Sequence, residues 1–139
     1  MRIGRPRGLL YGVGVNDAVY YTQWTENGVR KTCPIYATWA AMIQRGFSRR
    51  LKERNPTYAD VVVCKEWQRF SVFSDWMQNQ KWEDGGMKLQ LEKDILVAGN
   101  REYSPSSCVF VPAFVNTVIS LWWREVEHRP ATGSKLPSP

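Results

Sequence analysis

LQLEKDILVAGNREYSPSSCVFVP, residues 89–112, sets two apolar runs on either side of Gly99-Asn100. Leu89, Leu91 and Ile95 suit a strand, Gly99-Asn100 supplies a turn, and Cys108-Val109-Phe110-Val111 supplies a partner strand. Pro112 follows, and proline is well suited to the first turn of a helix because its missing N–H needs no partner there. The stretch therefore predicts a strand–turn–strand–helix unit. Glu92-Lys93-Asp94 closes its first strand. Neighbouring strand side chains point to opposite faces, so Glu92 and Asp94 share one face and Lys93 takes the other.

Working outward, Val115, Val118, Ile119, Trp122 and Val126 form the apolar face of the helix after Pro112. Upstream, Asp84-Gly85-Gly86 marks a turn, and Glu26-Asn27-Gly28 marks another inside a hairpin over residues 18–32. Pro34 opens a helix with Ile35, Trp39, Met42 and Ile43 on one stripe. Asn55-Pro56 breaks that pattern, and residues 58–63 form a short strand or extended link. Trp67, Phe70, Phe73 and Met77 repeat at three- and four-residue intervals as a second helix. Both aromatic stripes read as core. The fold class is α+β: an N-terminal hairpin and two helices packed on a C-terminal ββα unit. Residues 1–10 form a basic flexible arm, residues 11–127 a single domain with the ββα unit at about 88–127, and residues 128–139 a tail or linker.

The 139-residue chain carries seven Trp, six Tyr and five Phe, enough aromatic surface to require a folded core. Its net charge of +6 is uneven. Residues 1–54 hold ten Lys/Arg against three acids, whereas residues 55–100 hold five against seven. A basic first third beside an acidic middle fits a polyanion-facing surface next to a cation site. Arg45, Arg49, Arg50, Lys52 and Arg54 are the nucleic-acid-binding candidates. Cys33, Cys64, Cys108 and the single His128 lack the paired spacing of zinc ligands, so zinc is not expected and the thiols read as reduced. No run approaches a membrane span, and the N-terminus lacks an apolar signal core, so a cytoplasmic protein is expected. His128 reads as surface or tail.

Several ordered blocks resemble HNH (His-Me finger, ββα-metal) endonucleases, in particular a phage and homing-endonuclease subgroup. They are Leu91-Glu92-Lys93-Asp94, Gly99-Asn100, Tyr103-Ser104-Pro105, Cys108-Val109-Phe110-Val111-Pro112 and Asn116. Upstream, Tyr11 to Asp17, Cys33 to Trp39 and Val63 to Trp67 agree as well, so the likeness covers about residues 11–120. The resemblance implies a DNA-binding phage protein in the cytoplasm of an infected bacterium, or a virion component. It also implies cleavage of a phosphodiester with one divalent cation, Mg²⁺. By position, Lys93 takes the place of the motif histidine that serves as base, and Ser107 the place of its orienting asparagine. Glu92, Asp94 and Asn116 are the implied metal ligands, with Glu92 and Ser107 beside Lys93 as the implied catalytic set. A lysine between two carboxylates is a poor base, because the flanking charges favour its ammonium form, but it still suits a phosphate as a point charge. Two further readings stay open: a catalytically degenerate protein that binds nucleic acid, and a protein-binding accessory factor that inhibits a host defence or packs in a virion. In longer relatives a stretch like Gly133 to Pro137 leads into a small DNA-binding module.

Overall fold

The computed structural model describes residues 8–115 together with Val118 and Leu121. The remaining N-terminal arm, Asn116, most of the helix expected after Pro112, His128 and the tail lie outside the described residues. Within them the chain is a mixed α+β structure.

The hairpin comes first. Strand β1 (Gln23–Glu26) pairs antiparallel with β2 (Val29–Thr32), Trp24 facing Lys31 and Thr25 facing Arg30. Asn27 and Gly28 both have positive φ, 51° and 77°, which is the geometry a two-residue turn of this hand requires. Helix α1 (Pro34–Phe47) starts on the expected proline, and Ser48 ends it while accepting a hydrogen bond from Leu51 N that caps helix α2 (Arg49–Arg54). After a 3₁₀ turn at Pro56–Tyr58 comes the two-residue strand β3 (Val62–Val63).

The second helix is shorter than the spacing predicts. Trp67 sits in a separate 3₁₀ turn (Glu66–Gln68), and helix α3 begins only at Phe70, running to Gln78. Arg69 is extended because Val15 runs beside it, Val15 N donating to Gln68 O and Phe70 N donating to Val15 O. Asp17 then caps the new helix from 54 residues upstream, accepting from Ser71 N at 2.8 Å and Ser71 Oγ at 2.6 Å. Burial alone would raise the Asp17 carboxyl, but these bonds and Arg69 hold it below its ordinary value.

Trp39, Met42 and Ile43 of α1, Phe70, Phe73 and Met77 of α3, and Trp67 and Val61 are sealed from solvent and form the core. Trp39 Nε1 donates to Trp67 O at 2.8 Å, so the one polar atom of the indole is satisfied inside. Edge-to-face pairs join Trp39 to Phe70 and Trp67 to Phe73, and Trp76 continues the series to Phe110. Helix α1 also lies close on β3: a Cβ at Gly46 would stand 2.9 Å from a methyl of Val63. Only glycine lets those two backbones approach this way.

A short hairpin, β4 (Glu83–Asp84) with β5 (Met87–Lys88), follows, and its turn glycines Gly85 and Gly86 have positive φ as expected. Strand β6 (Gln90–Glu92) pairs antiparallel with β8 (Val109–Val111), while β7 (Glu102–Tyr103) pairs parallel with β3. Residues 113–115, Val118 and Leu121 are helical. Ile95 does not belong to the first strand: pairing stops at Glu92, and residues 93–100 form a loop closed by Gly99 at φ 74°. Leu10, placed in the arm by the sequence, exchanges backbone hydrogen bonds with Gly14 and packs against the core. Among the described residues no helix is long and apolar enough to cross a membrane.

Candidate functional site

Strand β6 delivers Glu92 to the floor of a cleft of about 810 Å³, whose far wall is helix α1. Arg45 reaches it from α1, Lys88 from β5, Arg101 from the approach to β7, and Lys93 and Asp94 from the loop that follows β6. Four cations therefore line one depression around two carboxylates. Arg45 Nη1 contacts Tyr103 Oη at 3.5 Å, and Arg101 Nη1 donates to Thr57 O at 3.1 Å.

Lys93 is buried, its side chain only 9% exposed. Its Nζ lies 3.6 Å from Asp94 Oδ2 and 5.5 Å from the centre of the Tyr103 ring. A lysine side chain held by a carboxylate and an aromatic face suits a phosphate as a point charge. Asn100 fixes this lysine's backbone: its Nδ2 donates to Lys93 O at 2.8 Å and to Glu102 O at 2.7 Å, and its Oδ1 accepts from Glu102 N. The loop from Lys93 to Asn100 is thus tied shut at its base.

Glu92 is half-buried. Loss of solvent raises its carboxyl above the ordinary value, Asp94 adds to the rise, and Lys93 and Arg45 offset part of it. A carboxyl whose folded value lies above its unfolded one contributes stability fully at pH below about 4.5 and loses it as pH rises through the folded value. Glu92→Gln is therefore expected to raise the thermal midpoint by a few degrees at pH 7 and to leave it nearly unchanged at pH 4. Paired melts at the two pH values check this.

Ser107 is buried: its hydroxyl bonds Ser104 Oγ at 2.9 Å and donates to Glu102 O at 3.2 Å, bracing the turn before β8. Burial pushes the Tyr103 hydroxyl up to about 12 and the Cys108 thiol up to about 11, leaving both neutral at physiological pH. Cys64 is also buried, and Cys33 lies within 3.6 Å of the Tyr20 hydroxyl.

The basic candidates separate once their contacts are known. Arg45 enters the cleft, while Arg50 and Arg54 stand exposed on α2. Arg49 pairs with Glu53 at the surface. Lys52 Nζ donates to Ala59 O and Val61 O, tying α2 to the segment before β3, so its charge neutralises carbonyl dipoles of this chain. Lys88, Arg101 and Tyr103 were not among the sequence candidates. Nothing in local spacing marks the first two; the parallel pairing of β7 with β3 is what swings Arg101 toward Thr57.

As for a metal, among the described residues no three His, Cys, Asp or Glu side chains gather closely enough to hold one on protein ligands alone. Mg²⁺ asks for less: one or two carboxylates, with water and substrate phosphate completing its shell. Glu92 and Asp94, both lining the cleft, fit that requirement, and Asn116 lies outside the described residues. No protein-family model, curated protein or solved structure matches the chain.

Proposed function

We propose that this chain is an HNH-endonuclease-like DNA-binding protein that seats a phosphodiester backbone in the cleft between α1 and β6. One juxtaposition carries the reading: Arg45, Lys88, Lys93 and Arg101 line a single depression around the Glu92 and Asp94 carboxylates. The cations suit phosphate oxygens, and binding through them is strongly salt-dependent and weakly sequence-specific. Glu92 and Asp94 would hold one Mg²⁺, which when bound stabilises negative charge on a phosphodiester oxygen. Lys93 contributes a point charge toward the phosphate. Exposed Arg50 and Arg54 extend the basic surface along α2.

Arg45→Ala is expected to weaken duplex affinity about tenfold at low salt and to reduce the slope of log affinity against log salt by about 1. A salt titration by anisotropy checks both numbers, and an affinity indifferent to salt would remove the phosphate reading altogether.

A second reading is favoured by the ammonium of Lys93 standing where the resemblance asks for a base: a protein that binds and does not cut. Incubation with plasmid in Mg²⁺ or EDTA separates the two. Nicking that needs Mg²⁺ and disappears in Glu92→Ala selects cleavage. Retained binding with intact plasmid selects the silent binder.

A further inference from the structure

The loop that closes the cleft ends in an apolar tip. Leu96 is 61% exposed and Val97 52%, and Ala98 beside them is exposed too. Three consecutive bare apolar residues are unfavourable on a surface without a use for them. The tip is also not a slack segment. Asn100 ties the backbone of Lys93 to that of Glu102, Asn100 N donates back to Val97 O at 3.1 Å, and the Lys93 side chain is anchored between Asp94 and the Tyr103 ring. Two aliphatic side chains are thus presented to solvent on a closed, braced loop.

Its position follows from chain geometry. Leu96 is two residues beyond Asp94, which lines the cleft, so their Cα atoms are at most about 7 Å apart. The tip therefore stands within about 7 Å, backbone to backbone, of a residue that lines the cation-bearing depression. Aliphatic side chains held beside phosphate-binding cations are the arrangement by which proteins part a base step and kink the helix. We infer that Leu96 and Val97 form a wedge that enters a base step of the duplex whose backbone the cleft holds. This rests on the DNA-binding reading above and adds to it the residues that would distort the bound duplex.

The experiment uses short duplexes carrying 2-aminopurine, which brightens when it is unstacked, stepped one position at a time along a helical turn. Because phosphate-driven binding fixes no single register, wild type is expected to raise the fluorescence at several of the probed steps, with the same isotherm as binding by anisotropy. The double variant Leu96→Ser/Val97→Ser should lose that rise and bind about tenfold more weakly, since the apolar surface it gives up is worth about 1.4 kcal/mol. Its salt slope should match wild type, because no phosphate contact has been removed. Both positions are exposed, so its thermal midpoint should also stay close to wild type. The wedge is overturned if wild type binds with the expected salt dependence and no step brightens, or if the serine variant keeps the fluorescence change. Failure of wild type to bind duplex DNA at any salt concentration overturns the cleft reading along with it.

Discussion

Trp39→Ala is expected to lower the unfolding free energy by about 3–5 kcal/mol, a large share of the stability of a domain this size. Trp39 has no exposed surface and packs against Tyr36 and Phe70, with ring centroids 5.7 and 5.4 Å away. Its ring also fills the space over Gly14, where an added Cβ would meet it at 3.0 Å. Alanine leaves a cavity bordered by α1, α3 and the N-terminal segment at once. It also strips the buried Trp67 O of its indole donor, which costs more than losing a surface bond. Chemical denaturation monitored by far-UV dichroism gives the number. Trp39→Phe, which keeps most of the ring, should fall well short of it; equal losses for the two would mean that the hydrogen bond outweighs the packing.

Asn100→Ala is the second large effect, and it joins stability to binding. The asparagine side chain makes three hydrogen bonds, to Lys93 O, Glu102 O and Glu102 N. Removing it leaves Lys93 O without that donor and opens the base of the loop, at an expected loss of about 2–3 kcal/mol. Because the same bonds fix the backbone next to Asp94 and below Leu96, duplex affinity should fall although no cation has been altered. Measuring both on one sample is decisive. A stability loss with unchanged affinity would show that the loop's position does not matter to binding.

Much of this architecture was legible in the chain. The Asn27-Gly28 hairpin, the Pro34 helix, the Asp84–Gly86 turn and the pairing of Leu91 with Phe110 follow from turn chemistry and local periodicity, which act within a few residues. Where reading failed, the cause lies at long range. Trp67 and Phe70 keep helical spacing, yet Val15 and Asp17 approach from far upstream and move the helix start past Arg69. Ile95 continues the alternation of Leu89 and Leu91, but Asn100 captures the backbone at Lys93 and ends the strand first. At the candidate site, Glu92, Lys93, Asp94 and Arg45 do meet in one cleft. Lys52 looked like a fifth surface cation because its two carbonyl partners are seven and nine positions away, beyond any helical spacing. Lys88 and Arg101 were invisible for the converse reason, since only the tertiary fold brings them to Glu92.

The parallel pair β3–β7 joins Val62 to Glu102, forty positions apart in the chain, through Val62 N to Arg101 O and Cys64 N to Tyr103 O. On the ribosome, the residues of α1, Trp67 and α3 are all available once Gln78 has emerged, and they hold most of the sealed core. Val63 must then wait for Tyr103 to be made, and Gln90 for Val111. The cleft is consequently the last part of the described chain to be assembled. A nascent protein with its core already packed still lacks the wall that carries Arg101, so the cleft takes shape only after the core that supports it.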